Sequence, residues 1–482
     1  MPTDKSDITT ITGISPIDGR YKERVDELAE HLSEYALHRE RVFVEIEYLL
    51  SLNELLGREK QIQETPLREI YRSFDVKDAQ LIRRIEREGH EDIPATNHDV
   101  KAVEYFLRRE LEKRNCSSLT PLLHFGLTSE DVNNLAYSRM VRKGWRKSLM
   151  FQLRSLIEEL MNKADANKTT PMLGRTHGQP ASPTTVGKEW SVYLVRTAST
   201  AEAVANADRR LTGKLCGATG NLNAHLAAYP QLDWLQFSKE FVSALDLKPN
   251  LSVTQVEPGD NLARLFHGLI RLNNVLIDLA RDTWFYISLG YFKQKKEKGE
   301  VGSSTMPHKL NPIDFENAEG NLSKANSDLH FIADYITKSR LQRDLSNSTV
   351  MRNIGSAFAH CLLAYKKLNK GLEKVLVDEQ RVKRDLNDHP EVVTEGWQTI
   401  LRKSGFKEAY ETVKDKSRGK APGHKDEILA EISDELSLSE GEEERLRALS
   451  PTSYLGLAEK LTERSLQEAK QLLAELKYDQ GL

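Results

Sequence analysis

Ser303, Ser304, Lys309 and Asn311 fall within one short stretch, GEVGSSTMPHKLNP, running from Gly299 to Pro312. A glycine ahead of the serine pair lets their backbone N–H groups face a ligand, and a lysine and an amide follow within one turn's reach. Such a set can hold a carboxylate and can stabilise charge that builds on it during a reaction. Gly299, Gly302 and the lysine-rich flank KQKKEK (Lys293 to Lys298) give the stretch the character of a segment that opens and closes over a site. It reads as neither helix nor strand, with His308 as a surface residue, and long loops in compact domains tend to carry function.

Three further polar segments interrupt an otherwise helical pattern: TNHDVKAVE (Thr96 to Glu104), LTSEDVNN (Leu127 to Asn134) and GRTHGQPASP (Gly174 to Pro183). Each sets Thr, Ser, His, Asn or Asp around an expected helix start, where unpaired N–H groups and the positive dipole end suit anionic ligands. The same residue types are the favoured N-caps, so each segment taken singly also reads as a capped helix with a solvated turn. His177 carries the side chain that most readily gives or takes a proton near neutral pH, although a lone histidine is more often structural. Glu316, four residues past Pro312, is a candidate to orient an imidazole. The glycine-rich nucleotide motifs, the serine-hydrolase elbow and the zinc-protease helix motif are all missing from the sequence.

The elements that must position these groups are helices. Val42, Ile46, Leu49 and Leu50 follow helical spacing, and so do Leu149, Leu153, Leu156 and Leu160. Leu262, Leu265, Leu269, Leu272, Leu276 and Leu279 alternate steps of three and four, as do Leu322, Ala325, Leu329, Ile332 and Ile336. That pattern is the seam of a bundle of long, nearly aligned helices. The small residues of TASTAEAVANA (Thr197 to Ala207) allow close approach. The expected fold is all-α in three parts: an N-terminal helical domain over 1–119, a central long-helix bundle over 120–372 and a C-terminal helical domain over 373–482. Rods of this length rarely bury every apolar face within one chain, so the bundle is expected to oligomerise.

Composition narrows the class. With 482 residues, 39% hydrophobic and 29% charged, the chain is too long for one core and fits a soluble protein. A net charge of −3 excludes the basic excess of a general nucleic-acid binder. No stretch reaches the length of a membrane span, and MPTDKSDITTIT has no apolar core of a secretory signal, so the expected location is the cytoplasm. Cys116, Cys216 and Cys361 are scattered without metal-ligand spacing and read as buried thiols of a reducing compartment.

Taken together, the motifs resemble the fumarase/aspartase superfamily, whose members eliminate fumarate or a close analogue from a succinyl-type substrate. The resemblance runs nearly end to end. It is carried by SPIDGRY (Ser15 to Tyr21), TNHDVKAVEYF, HFGLTSEDVNNL, RTHGQPASPTTVGKE, GATGNLNAH, GSSTMPHKLNP with NPIDFENAEGNL behind it, and QRDLSNSTVMRN (Gln342 to Asn353). The loop alone gives the superfamily, since branches acting on argininosuccinate, malate or carboxymuconate carry close versions. NHDVKA, TSEDVNN and RTHGQPA together point to the branch that cleaves adenylosuccinate and succinylaminoimidazole-carboxamide ribotide. The stretch EREGHEDIPA (Glu86 to Ala95) has no clear counterpart in the family pattern.

The resemblance implies a β-elimination with Ser303 as base, His177 as general acid and Glu316 orienting the histidine. Spacing alone does not choose between Ser303 and Ser304. Arg20, Tyr21, Asn97, His98 and Asp99 lie in segments that bind the nucleotide, His98 as a phosphate or second-histidine contact. Thr128 and Ser129 are expected to meet the succinyl carboxylates. Gln255, Lys309 and Asn311 would hold the substrate near the reacting carbons, and Arg343, Ser348 and Arg352 would bind phosphate. Read without the family, Arg343 and Arg352 also fit salt-bridged helix residues, and Thr128 fits a cap. No metal or organic cofactor is implied. The implied assembly is a homotetramer around a core of long helices, each active site drawing on three chains, with the Gly299 to Pro312 loop as a mobile lid. A catalytically silent helical scaffold is the contrasting reading, and the presence of the acid, base, lysine and amide speaks against it.

Overall fold

The computed structural model describes residues 10–57, 64–296, 305, 306, 308–419 and 424–476. Its helices begin and end where local chemistry dictates. Helix α1 (Glu34–Leu56) starts at Ser33, whose hydroxyl accepts from the Ala36 N–H at 3.2 Å, and stops at Gly57, which takes the left-handed conformation. Its seam of Val42, Ile46, Leu49 and Leu50 is buried. Helix α2 (Asp99–Lys113) is followed by α3 (Ser129–Lys143), which packs on α1. A π-helical turn, Gly144–Leu149, carries α3 into α4 (Met150–Ala166). The chain packs closely at that turn: a Cβ on Gly144 would lie 2.7 Å from Leu32 Cδ1, so the leucine would have to shift.

Five long helices form the bundle: α4, α5 (Val186–Asp208), α6 (Asp260–Ser288), α7 (Ile313–Ile336) and a further helix, Ile354–Lys374. The short helix α8 (Ser346–Met351) precedes the last of these, which becomes α9. Helix α6 has 29 residues, so it spans about 43 Å at helical rise. Helix α7 lies between α6 and α9, while α5 packs on α4 and α6. Every residue of the two seams expected on α6 and α7 is buried. A polar network crosses this core: Asn273 donates to Asn326 Oδ1 at 2.9 Å, and Tyr365 donates to Asn273 Oδ1 at 2.8 Å. It ties α6, α7 and α9 at one level, since a shifted register would leave buried polar groups unpaired. The outward faces of α6 and α7 nevertheless keep Phe285 (58% exposed) and Phe331 (56%) in solvent.

One segment departs from expectation. GRTHGQPASP is a β-hairpin rather than a helix start: β1 (Pro171–Thr176) pairs antiparallel with β2 (Gln179–Thr185). Two prolines deny the segment helical donors, while His177 and Gly178 take φ of +54° and +75°, the backbone of a tight hairpin turn. Helix α5 starts only after it, with the Thr185 hydroxyl accepting from the Lys188 N–H at 3.1 Å.

Residues around Val393, Trp397, Leu401, Ile428 and Leu429 form a separate small core, into which Trp397 Nε1 donates to the Leu446 carbonyl at 2.9 Å. A capping box joins Ser439 and Glu442 there. Helix α10 (Ala458–Glu475) leaves that core and packs on α5 and α4, placing Leu466 and Ala469 in the main core. Cys216 and Cys361 are buried and Cys116 is half-buried. Among the described residues no helix is long and apolar enough to cross a membrane.

Candidate active site

Ser129 is the first residue of α3 and Thr128 its cap, with the Thr128 N–H donating to Asp131 Oδ2 at 2.9 Å. Arg343 reaches this helix start from the segment between α7 and α8. Its Nη1 donates to Gln255 Oε1 at 2.8 Å and to Ser129 Oγ at 3.2 Å, and its Nη2 lies 3.7 Å from Glu130. Gln255 is itself fixed on both sides. Its backbone N–H meets the Gln342 carbonyl at 3.3 Å, and its Nε2 donates to the Ala218 carbonyl at 2.8 Å. Ser348 on α8 lines the same cleft, together with Glu130, Asn133, Tyr137 and Asn347. Arg343 and Ser348, from one segment, therefore line one polar cleft, and Ser129 and Gln255, from two others, are joined to it through Arg343. Burial pushes the Glu130 carboxyl up to about 7, against the pull of Arg343 and Lys214.

A second cluster is built around Asp99. Its Oδ2 accepts from Arg41 Nη2 at 2.7 Å and from Arg352 Nη2 at 2.9 Å, while Arg352 Nη1 reaches Glu34 at 3.0 Å. Burial alone would raise the Asp99 carboxyl; Arg41 and Arg352 outweigh it and hold the group at about 2. Asn97 takes φ of +48°, and His98 caps α2 by accepting from the Lys101 N–H at 3.2 Å. The stretch 86–95, without a counterpart in the family pattern, supports this corner. Its chain returns on itself, so the Thr96 and Asn97 N–H groups bond the Ile85 and Glu86 carbonyls, and Glu91 pairs with Arg109 of α2 at 2.5 Å. Tyr137 lines the first cleft and also the smaller one that holds Arg352. Burial drives its hydroxyl up to about 12 and drives the His38 imidazole down to about 3, with Arg41 adding to the latter.

Arg41, Glu34, Glu130 and Tyr137 were not singled out by motif. The signal for Arg41 is on α1: Arg41, Glu45 and Tyr48 repeat at helical spacing beside the apolar seam and are all buried. Three buried polar side chains on one stripe mark a face turned toward other polar groups. Tyr48 donates to the Phe125 carbonyl at 2.7 Å and contacts His225 Nε2 at 3.0 Å, directly behind the Thr128 turn. The His225 ring fills the space a Cβ on Gly126 would need, and Gly126 has φ of +69°.

The other expected residues lie on other elements of the chain. His177 is exposed at the hairpin tip. Glu316 is exposed on α7 and accepts from Trp284 Nε1 at 3.1 Å. Arg20 is exposed, with its guanidinium 6.0 Å from the Tyr21 ring centre, and Lys309 is exposed while Asn311 is half-buried. Among the described residues no hydrogen bond or ion pair joins His177 to Glu316, or either of them to the Arg343 and Arg352 clusters. Ser303 and Ser304 lie outside the described residues. Among the described residues no group of three or more His, Cys, Asp or Glu side chains is arranged to hold a metal ion.

Two family profiles match adjoining parts of the chain, one described as lyase over residues 19–326 and one as adenylosuccinate lyase C-terminal over residues 339–455. The chain is 44% identical to adenylosuccinate lyase of Dictyostelium discoideum, across 93% of this chain and 97% of that protein. It is 41% identical to the Haemophilus influenzae adenylosuccinate lyase (95% and 99%) and 42% identical to that of Escherichia coli K12 (94% and 98%). Two solved structures share the fold. A fumarate lyase from Mesorhizobium sp. BNC1 has a TM-score of 0.71 at 20% identity, covering 92% of this chain and 97% of that one. A 3-carboxy-cis,cis-muconate lactonizing enzyme from Pseudomonas putida has a TM-score of 0.72 at 19% identity, covering 94% and 99%. With both profiles matched and more than 40% identity along nearly the whole length, the chain belongs to the adenylosuccinate lyase family of the fumarase/aspartase superfamily.

Proposed function

We propose that this lyase releases fumarate from adenylosuccinate, giving AMP, and from succinylaminoimidazole-carboxamide ribotide, giving the carboxamide ribotide. The observation that carries the reading is Arg343 held against Ser129 and Gln255 in a polar cleft also lined by Ser348. A guanidinium fixed on two neighbours keeps further N–H donors for a phosphate or carboxylate, and Arg suits such forked recognition.

In the proposed reaction Ser303 removes a proton from the carbon beside a succinyl carboxylate. The carbanion is carried as an aci-carboxylate, stabilised by backbone donors, Lys309 and Asn311. The C–N bond then breaks, and His177, oriented by Glu316, protonates the departing nitrogen. A serine serves as base only where donors and positive charge favour its alkoxide, which the glycine-serine backbone and Lys309 supply. His177 is exposed and shares no hydrogen bond with the Arg343 cleft among the described residues, so the proposed site is completed by other copies of the chain in a homotetramer. The exposed Phe285 and Phe331 on the bundle's outer face support that assembly. The proposed location is the cytoplasm.

The test is the ultraviolet change on adding adenylosuccinate to purified protein, with argininosuccinate and malate in parallel. Formation of AMP and fumarate from adenylosuccinate alone is expected. Turnover of another substrate without adenylosuccinate cleavage would overturn the nucleotide assignment.

A further inference from the structure

Lys214 lies between α5 and α6, far in sequence from every residue assigned to the reaction, and its side chain is 0% exposed. A lysine is almost never fully buried unless paired. Its Nζ lies 2.8 Å from Asp131 Oδ1, and Asp131 is also 0% exposed. The same ammonium donates to the Gly217 carbonyl at 3.0 Å. Asp131 uses its remaining capacity on backbone: Oδ1 accepts from the Cys216 and Gly217 N–H groups at 2.9 and 3.2 Å, and Oδ2 accepts from the Thr128 N–H. Asn134 doubles the tie, its amide accepting from the Lys214 N–H at 2.9 Å and donating to the Lys214 carbonyl at 3.1 Å.

These contacts close a ring. From Thr128 and Ser129 the path runs through Asp131 to Cys216 and Gly217, then to the next residue, Ala218. The Ala218 carbonyl holds Gln255, Gln255 holds Arg343, and Arg343 returns to Ser129. Four segments remote in sequence are thus set relative to one another, and Asp131, its Lys214 partner, Cys216 and Gly217 form the buried side of the ring. The groups hydrogen-bonded to the two residues are Thr128 and Asn134 from the start of α3 and Cys216 and Gly217 from the loop of Lys214, with Glu130, Tyr48 and His225 close enough to feel the charges.

We propose that Lys214 is a positioning residue, which through Asp131 and the 216–218 backbone fixes Gln255 and Arg343 against Ser129 in the geometry that receives substrate. The inference rests on the assignment of Ser129, Gln255 and Arg343 to substrate binding. Asp131 keeps three backbone N–H donors when the ammonium is removed, but its buried carboxylate then lacks a counter-charge, so loss of Lys214 lowers stability as well as loosening the ring. The Gly217 carbonyl loses its ammonium donor, and the 216–218 turn that carries the Gln255 contact becomes free to shift.

The experiment compares Lys214→Met with Arg343→Met in the full-length protein, reading thermal melting, KM and kcat with adenylosuccinate. For Lys214→Met the expected result is a folded protein whose KM rises about 10- to 100-fold while kcat at saturation changes less than about threefold. Arg343→Met is expected to raise KM by at least as much. A folded Lys214→Met protein with wild-type KM, beside an impaired Arg343→Met, overturns the positioning role and leaves the substrate assignment standing. Wild-type KM in Arg343→Met overturns the substrate assignment, and this inference with it. Should Lys214→Met melt below the assay temperature, the double variant Lys214→Met/Asp131→Asn decides, since it removes the ammonium and leaves no unpaired charge in the interior, and neither residue lines the cleft. An elevated KM there supports the ring, and wild-type KM overturns it.

Discussion

Asp99 and Arg352, separated by 253 positions in sequence, form an ion pair at 2.9 Å on the same carboxylate oxygen that Arg41 holds at 2.7 Å. One arginine of this pair of donors is buried and the other exposed, so their duties differ. Arg41 fixes Asp99, whereas Arg352 keeps an exposed face, where the proposed phosphate contact would be made. Replacing Arg352 with Met should leave stability within about 1 kcal/mol, because exposed pairs contribute little. It should raise KM about 10- to 100-fold, the loss of a charge-assisted hydrogen bond being worth roughly 1.5–3 kcal/mol. Steady-state kinetics beside a thermal melt check both halves.

Glu130 predicts a pH dependence. Burial raises its carboxyl from the ordinary 4.5 to about 7, so the native state binds a proton that the unfolded chain has already released. The stability it contributes is fully present below pH 4.5 and is lost as pH rises through 7. Glu130→Gln, which has no proton to lose, should therefore gain stability over the wild type above pH 7 and show no gain at pH 4.5. Every tenfold difference in proton affinity between the two states is worth about 1.4 kcal/mol, so the gain should be readable in denaturant melts at the two pH values. The substitution also removes a carboxylate that competes with a bound anion for Arg343, so KM should fall at pH 8 and stay unchanged at pH 6.

Gly126→Ala should be costly. The position has φ of +69°, and its new methyl would lie 2.7 Å from His225 Cε1. Backbone strain and overpacking together should destabilise by roughly 2–4 kcal/mol in denaturant melts. KM should rise as well, because the displaced turn carries Thr128 and Ser129.

His177 invites the cleanest separation of chemistry from folding. It is exposed, and its positive φ is tolerated by asparagine, so His177→Asn should melt like the wild type. Its kcat should fall by about 10²- to 10⁴-fold if the imidazole is the general acid. Subunits carrying His177→Asn, reassembled with subunits carrying Ser303→Ala, should recover part of the activity. Recovery in neither direction would count against sites shared between chains.

The bundle was legible because its seams are long and regular. Leu262 to Leu279 on α6 and Leu322 to Ile336 on α7 are buried as their spacing implies. The hairpin at Gly174 to Pro183 was not, because it offers no period-two alternation. Its shape comes from two prolines and a His-Gly turn, and those residues also suit a loop ahead of a helix. The Arg343 cleft was legible as separate motifs. What no motif contained was the joining of Ser129, Gln255 and Arg343 by hydrogen bonds, since these pair residues from distant segments. The buried charges Arg41, Asp131 and Lys214 were hidden for a related reason: a charged residue in a helical stretch reads as solvent-facing until its partner is placed.

Helix α10 packs on α4 and α5, yet it is synthesised after both of them and after the small Trp397 core between. The ribosome therefore exposes an unfinished bundle surface for the whole time it takes to make the residues between α5 and α10. Until Leu466 and Ala469 arrive, that groove is open to other nascent chains, which makes the final docking of α10 a step where a chaperone would have most effect on yield.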